Sequence, residues 1–335
     1  MDPRSDEDIE AEASRGDSNA QIALARRLLT LPPYNTKEVI KWVQAAAQGG
    51  SGEASHLLAV LTGEGFGIRQ SFEGSLDHLR LAAERGYPPA QAELAAVAGD
   101  WSLAREIASG EVAPPETWSR LRRAVDIAAW LSFPQSRMVS TGPYIAMVDG
   151  FLPPAICDWL IALGEPGLKR AQVLDPETGR LRDEDGRSNR AAALSVGELD
   201  LVLVLVRARI AALTGLPVSG FEDSQILHYA VGEEFGPHVD FLDVSFPAYA
   251  KDVASQGQRA ITALVYLNDD FDGGETVFPA LGRGYKGGKG GALVFSNVTQ
   301  EGLPDKRTVH AGSPTTRGEK WLLSQWIRIR PQWLR

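Results

Sequence analysis

The chain has 335 residues and a net charge of −9, and 44% of its residues are hydrophobic and 23% charged. This length allows two domains, and the negative charge disfavours general binding to a nucleic-acid backbone. No apolar run approaches the roughly 18 residues that are needed to span a bilayer. We therefore expect neither nucleic acid nor a membrane as a partner.

The beginning of the sequence and its cysteine content bear on the cellular compartment. Residues 1–8 are acidic and lack the basic region and the apolar core of a signal peptide. Cys157 is the single cysteine, so the chain has no internal disulfide framework and no cysteine-based zinc site. Both observations predict a cytoplasmic protein.

Three segments near the N-terminus repeat one another. Each has a glycine followed four residues later by an alanine, and the three glycines are Gly16, Gly50 and Gly86. Their spacings of 34 and 36 residues are typical of helical hairpins, in which glycine suits the turn between helices. The pattern resembles the Sel-like class of tetratricopeptide-type repeats. It departs from that class at residues 31–34, where Leu-Pro-Pro-Tyr stands in place of a Gly-rich loop.

These repeats predict an α-solenoid segment over residues 1–98, including the acidic tail. About two and a half units bury little surface by themselves, so we expect them to dock on the downstream region. A structural cap and a protein- or peptide-binding surface remain alternative roles. Residues 99–141 contain helical patterns at 102–107 and 118–130 and are predicted to be a helical connector.

The next region alternates strands, helices and one polar loop. We predict a strand at Tyr144–Val148, a helix over residues 153–163, a polar and mobile loop over 170–189, a strand at 191–196 and an amphipathic helix at 198–213. From Ser224 onward, short strands with Gly and Pro turns and without intervening helices predict an antiparallel sandwich or barrel. The fold class is therefore α+β and multidomain.

A possible set of metal ligands lies in this β-rich region. His238 and Asp240 are two residues apart, so in an extended strand their side chains project from the same face. His310, 70 residues after Asp240, would add a second imidazole from another strand. Two histidines and one carboxylate occupy one face of Fe(II) and leave positions open for other ligands. Asp243 is an alternative carboxylate, but its odd offset from His238 places it on the opposite strand face.

Lys320 follows His310 by ten residues and precedes the apolar pair Leu322 and Leu323. This context predicts that the ammonium group lies in an apolar pocket, which is costly unless an anion pairs with it. A dicarboxylate cosubstrate would supply that anion.

Residues 142–330 resemble the catalytic domain of prolyl 4-hydroxylases, which are Fe(II)- and 2-oxoglutarate-dependent dioxygenases, and we predict this domain over residues 142–335. The resemblance rests on His238-x-Asp240, His310 and Lys320 at the intervals of that family, and on the intervening segments 259–268, 273–279 and 310–314. It implies a double-stranded β-helix, or jelly roll, with flanking helices.

The resemblance also implies roles for individual residues. His238, Asp240 and His310 would bind iron, and Lys320 would pair with the distal carboxylate of 2-oxoglutarate. The remaining candidates are hydrogen-bond donors to that carboxylate (Tyr229, Thr262), an aromatic wall near the iron (Trp326), a phenylalanine where the family commonly has a substrate-contacting tyrosine (Phe235), and two substrate contacts (Arg259, Arg190). For these residues, ordinary strand positions, core packing and solvated surface charge are the alternative interpretations.

The implied reaction consumes 2-oxoglutarate and O2 at Fe(II), releases succinate and CO2, and hydroxylates a C–H bond. Ascorbate is implied as an auxiliary. The leading interpretation is hydroxylation of a prolyl residue in a peptide or protein. The alternatives are the same chemistry on a free amino acid or another small molecule, and a non-catalytic repeat scaffold whose barrel senses 2-oxoglutarate or oxygen.

Overall fold

The structure is a computed structural model that describes residues 5–30 and 34–330. The first residues of the predicted acidic tail, the prolines of the 31–34 segment and the last five residues of the predicted catalytic region lie outside these ranges. The chain forms two compact units, Met1–Ser132 with Ser195–Ala212, and Phe133–Leu194 with Leu213–Arg335. It therefore leaves the first unit, returns to it for one segment and leaves it again.

Helices occur in both units. The described helices are α1 (Asp6–Ser14), α2 (Ser18–Leu28), α3 (Thr36–Gln48), α4 (Gly52–Glu64), α5 (Phe72–Glu84), α6 (Pro88–Val97), α7 (Trp101–Ala108), α8 (Glu116–Ala124), α9 (Ile127–Leu131), α10 (Pro154–Gly164), α11 (Leu201–Thr214) and α12 (Pro247–Gln256). Within the described ranges, none of them is long and apolar enough to cross a membrane.

The helical hairpins of the first unit follow the predicted repeat. Gly16, Gly50 and Gly86 connect α1 to α2, α3 to α4 and α5 to α6, with positive φ angles of 95°, 91° and 75°. Glycine adopts this backbone conformation without steric cost, so the predicted turns are confirmed. Side chains next to these turns cap the following helices, because Asp17 and Ser51 accept hydrogen bonds from the first turns of α2 and α4.

Helix α11 differs from the prediction of an amphipathic helix. Every residue from Leu201 to Ile210 is buried. The reason is tertiary, because helices of the first unit cover α11. An added Cβ at Gly63 would lie 2.8 Å from Cγ1 of Val204, and Nε of the buried Arg207 donates to Oε1 of Glu64 at 3.0 Å. The prediction of a polar face was therefore wrong.

The second unit contains the described strands. They are β1 (Arg137–Thr141), β2 (Tyr144–Val148), β3 (Lys169–Arg170), β4 (Val173–Leu174), β5 (Leu181–Arg182), β6 (Arg190–Leu194), β7 (Ser224–Tyr229), β8 (Phe235–His238), β9 (Gln258–Tyr266), β10 (Asp272–Gly273), β11 (Thr276–Phe278), β12 (Arg283–Tyr285), β13 (Ala292–Ser296), β14 (His310–Gly312), β15 (Thr315–Arg317) and β16 (Lys320–Ile329).

Two antiparallel sheets form the jelly roll. The large sheet has the order β1-β2-β13-β9-β16-β7-β6-β3, and the small sheet has the order β12-β11-β14-β8. Apolar side chains from both sheets, among them Leu264 and Phe295 from the large sheet and Phe278 from the small one, form one buried cluster. The predicted α+β fold with a helical repeat segment and a jelly roll is confirmed. Helix α12 between β8 and β9 corrects the expectation that no helix interrupts the β-rich region.

Candidate active site

Two histidines lie side by side on the small sheet. His238 is the last residue of β8 and His310 is the first residue of β14. They are direct partners in the antiparallel register, so their side chains project from the same face. Their ring centroids are 4.2 Å apart. Strand pairing thus brings together two imidazoles that are distant in the sequence.

Asp240 lies against both histidines. Its Oδ1 is 3.7 Å from Nε2 of His238, and its Oδ2 is 3.6 Å from Nε2 of His310. We predicted a strand that continues through Asp240, but β8 ends at His238 and the carboxylate reaches the histidines from the following bend. Asp243 is not part of this group, since its Oδ1 accepts a hydrogen bond from the backbone N–H of Ser245.

Backbone carbonyls fix the tautomers of the two imidazoles. Nδ1 of His238 donates to the carbonyl oxygen of Gly236, and Nδ1 of His310 donates to that of Thr308, both at 2.9 Å. A carbonyl oxygen only accepts, so Nδ1 carries a proton, and in the neutral ring Nε2 keeps its lone pair for a metal. Burial, reinforced by the neighbouring His310, lowers the pKa of His238 to about 3, so this ring is neutral at pH 7.

The donor set suits one ferrous ion. Burial acts to raise the pKa of Asp240, but the two imidazoles and a hydrogen bond from Thr262 outweigh it and lower that pKa, so the carboxylate is charged. The ligand atoms of the three residues lie within 4.8 Å of one another. Atoms that bind one ion at about 2 Å are themselves about 3–4 Å apart, so small adjustments close the site. Two imidazoles and one carboxylate on one side leave positions open for other ligands.

Lys320 is a buried basic side chain of the site. Its side chain is 1% exposed, and Nζ donates to the carbonyl oxygen of Gly274 at 2.7 Å. Nζ also lies 4.7 Å from the ring centroid of Tyr229, the cross-strand partner of Lys320. Lys320 forms no salt bridge with any residue in the described ranges. Burial lowers its pKa to about 7, while Glu275 acts in the opposite direction. An ammonium group in this position is stabilised by a bound anion.

Tyr229 and Thr262 occupy different parts of the site. Tyr229 lines one pocket together with Lys320, and burial raises the pKa of its hydroxyl to about 12, so the hydroxyl keeps a proton to donate. Thr262 donates to Oδ2 of Asp240 at 2.6 Å and accepts from Nδ2 of Asn297 at 2.9 Å. We predicted that Thr262 binds the distal carboxylate of the cosubstrate. Its hydroxyl is engaged by Asp240 instead, and a contact with the cosubstrate stays a prediction.

Of the four predicted substrate contacts, two line the pocket and two do not. Trp326 and Phe235 line the same pocket as His238. Arg259 lies 3.9 Å from the ring centroid of Trp326 and is held by Glu222, to which its Nε and Nη2 donate at 2.6 and 2.7 Å. Arg190 is exposed on β6 and is not among the residues that line the pocket. Their roles in substrate binding stay predictions.

The sequence assigned no individual role to three residues that shape this pocket. Asn297 orients Thr262, Glu222 holds Arg259, and Arg187 is a buried cation in the pocket wall. None of them lies at a sequence interval from the metal ligands that defines a motif. The polar loop before β6 was the available signal for Arg187, and no signal was available for the other two, because tertiary packing alone brings them to the site.

The class of protein follows from this arrangement. A jelly roll with two histidines on the small sheet, one carboxylate in the bend that follows β8 and a buried lysine on the large sheet defines a 2-oxoglutarate- and Fe(II)-dependent oxygenase. Residues 224–328 match the sequence profile of the 2OG-Fe(II) oxygenase superfamily.

Comparison with known proteins narrows this class. The chain is 31% identical over 211 residues to "Probable prolyl 4-hydroxylase 10" of Arabidopsis thaliana, with 57% of this chain and 71% of that relative covered. The protein therefore belongs to the prolyl 4-hydroxylase family. It is a 2-oxoglutarate-dependent dioxygenase that uses Fe(II), 2-oxoglutarate and O2.

Two solved structures are also similar. The 2OG complex of the viral collagen prolyl hydroxylase vCPH from Paramecium Bursaria Chlorella virus-1 is 28% identical, covers 57% of this chain and 99% of its own, and has a TM-score of 0.43. The Sel1 repeat protein from Oxalobacter formigenes is 24% identical, covers 36% of this chain and 92% of its own, and has a TM-score of 0.29.

Proposed function

We propose that this protein hydroxylates a prolyl residue of a peptide or protein. The observation that carries the proposal is the convergence of His238, Asp240 and His310, each with a free ligand atom, in a pocket that also contains Lys320. The name of the Arabidopsis relative supports the prolyl residue as the target.

The two sides of the site would have different roles, metal binding and cosubstrate binding. His238, Asp240 and His310 would hold Fe(II) against the small sheet. Lys320 and Tyr229 would bind the distal carboxylate of 2-oxoglutarate from the large sheet, one by charge and the other by hydrogen bonding. With its distal carboxylate bound in this way, 2-oxoglutarate would present its keto acid end to the metal ligands.

Two aromatic side chains pack against His310 and shield this imidazole from water. The ring centroid of Phe295 lies 4.8 Å and that of Phe278 lies 5.6 Å from the centroid of His310. When bound, the metal would couple the oxidative decarboxylation of 2-oxoglutarate, which consumes O2 and yields succinate and CO2, to the hydroxylation of a C–H bond. The chain itself supplies orientation and a dry, apolar wall.

The proposal is tested with Fe(II), 2-oxoglutarate, air and a library of proline-containing peptides, with free proline as a separate sample. We expect succinate formation coupled to a mass gain of one oxygen on proline in one or more peptides. His238→Ala, Asp240→Ala and His310→Ala should each lose more than about 100-fold in turnover, because an incomplete ligand set binds the metal poorly. His78→Ala, a half-buried histidine of α5 outside the pocket, is the matched control and should retain activity.

Unchanged turnover in His310→Ala would contradict the assignment of the metal ligands. Hydroxylation of free proline but of no peptide would contradict the peptide substrate and leave the small-molecule alternative.

A further inference from the structure

Arg187 is a buried cation in the wall of the metal pocket. It lies in the polar segment that precedes β6, forms an isolated β-bridge with Phe235 and is 5% exposed. It lines the same pocket as His238, Asp240 and Lys320. The pocket therefore contains two buried basic side chains, and the distal carboxylate of the cosubstrate accounts for Lys320 alone.

The hydrogen bonds that hold Arg187 are all to neutral groups. Its Nε donates to Oδ1 of Asn189 at 3.2 Å, and its Nη1 donates to the carbonyl oxygen of Gln172 at 2.8 Å. No carboxylate in the described ranges forms a salt bridge with it. Two other arginines differ, because the half-buried Arg259 is paired with Glu222, and the buried Arg328 with Glu222 and Asp252.

A guanidinium group stays charged in proteins, so its burial without a counterion carries a cost. Burial acts to lower the pKa of Arg187, and the more distant Tyr229 and Asp240 offset it only in part. A bound anion would remove this cost. The planar group has five N–H donors, and the two neutral acceptors leave Nη2 available for such an anion.

Arg187 is also close to the reacting end of the pocket. Its Cζ lies 4.5 Å from the ring centroid of Phe235, and that ring stacks on the imidazole of His238 with centroids 3.6 Å apart. The side chain of Phe235 has no polar atom, so Arg187 supplies the side-chain hydrogen-bond donors next to it. An anionic group held there would lie one phenyl ring away from a metal ligand.

We infer that Arg187 binds a carboxylate of the substrate and that this carboxylate lies close in space to the carbon that becomes hydroxylated. The inference rests on the proposed function and specifies its substrate class. The carboxylate can come from an acidic side chain beside the target proline, from the C-terminus of a peptide that ends in proline, or from free proline. These sources share one chemistry, a carboxylate that accepts paired hydrogen bonds from a guanidinium.

Matched pairs of probes distinguish these sources. The pairs are a peptide with Asp or Asn beside proline, a peptide that ends in proline as the free acid or the amide, and proline or prolinamide. Binding is measured with Zn(II) in place of iron and with 2-oxoglutarate present, so that affinity is obtained without turnover. Turnover is then measured with Fe(II).

For the wild-type protein we expect one charged probe to bind about ten- to a hundredfold more tightly than its neutral partner. Arg187→Gln should abolish this preference, and Arg187→Lys should keep part of it. Arg170→Gln, an exposed arginine on β3, is the matched control and should keep it in full. The affinity for 2-oxoglutarate should be unchanged in all three variants. A purely structural role of Arg187 would weaken both members of a pair equally.

Equal affinity of the wild type for charged and neutral members of every pair would overturn the inference. A preference that persists in Arg187→Gln would overturn it too, as would a weaker affinity of this variant for 2-oxoglutarate, which would assign Arg187 to the cosubstrate. If circular dichroism shows that Arg187→Gln is unfolded, the inference is tested by the affinities of the wild type and of Arg187→Lys for the charged and neutral probes. Failure of the proposed function would be distinct, because no probe would gain oxygen whatever its binding preference.

Discussion

The hydroxyl of Thr262 joins the carboxylate of Asp240 to the amide of Asn297. In Thr262→Val the shape of the side chain is kept, but Asp240 loses a donor and Asn297 loses an acceptor. Loss of a hydrogen bond that orients a metal ligand typically costs 10- to 100-fold in metal affinity. We therefore expect the dissociation constant for Fe(II), measured anaerobically, to rise by about that factor, and Thr262→Ser to restore it.

The same variants separate the two roles considered for Thr262. If Thr262→Val binds iron normally and shows only a weaker affinity for 2-oxoglutarate at saturating metal, the hydroxyl serves the cosubstrate and its bond to Asp240 is incidental.

Lys320 should make cosubstrate binding depend on pH. Burial lowers its pKa to about 7 in the free protein, and a bound carboxylate raises that pKa again. Below about pH 7 the lysine is charged before and after binding, so the affinity for 2-oxoglutarate is at its plateau. Above about pH 7 binding must take up a proton, so the affinity should fall toward tenfold per pH unit.

Calorimetry in buffers of different ionisation enthalpy measures this proton uptake directly. Lys320→Met, of similar length but without charge, should bind 2-oxoglutarate weakly at all pH values and take up no proton. An affinity of the wild type that stays constant from pH 6 to 9 would contradict a neutral Lys320 in the free protein.

Helix packing around α11 depends on a glycine in α4. Gly63 has no Cβ, and an added one would lie 2.8 Å from Cγ1 of Val204, 3.1 Å from Oγ of Ser75 and 3.3 Å from Cδ1 of Leu201. In an exposed helix, Gly→Ala stabilises by roughly 0.5–1 kcal/mol, but overpacking a core costs roughly 1–3 kcal/mol. Here the steric term is larger, so Gly63→Ala should lower the free energy of unfolding by about 1–2 kcal/mol in urea titrations.

A second substitution tests the cause. Val204→Ala removes the nearest obstructing atoms, so the double variant should be more stable than the sum of the two single effects predicts. Additive effects would show that Gly63 and Val204 do not interact sterically.

At the scale of elements, local patterns could be predicted from the sequence, whereas the surroundings of α11 could not. The repeat period predicted the hairpins, because local periodicity is contained in neighbouring positions. The family intervals between His238, Asp240, His310 and Lys320 predicted four side chains that lie in one pocket. The burial of α11 on all sides was not predictable in this way. It depends on helices more than a hundred residues earlier in the chain, and so does the pairing of Arg207 with Glu64. The roles of Asn297 and Glu222 could not be predicted for the same reason, because only tertiary contacts bring them to Thr262 and Arg259.

At the scale of the whole molecule, the return of the chain to its first unit predicts that the repeats cannot simply be removed. The predicted domain boundaries, after residues 98 and 141, suggest a catalytic fragment that retains α11 without the helices that cover it. Residues 201–210 are all buried in the full chain, and the fragment would expose them to water. Large exposed apolar patches favour association.

We therefore expect a fragment of residues 133–335 to aggregate in size-exclusion chromatography and to lack a cooperative thermal transition. Polar substitutions at Leu201, Val204 and Ala208, which share one face of α11, should improve the solubility of the fragment because they reduce its apolar patch. In the full chain the same substitutions should be strongly destabilising, since Leu201 and Val204 face Gly63 in the packed core. A monomeric wild-type fragment that unfolds at the same temperature as the full chain would show that α11 does not need its partner helices.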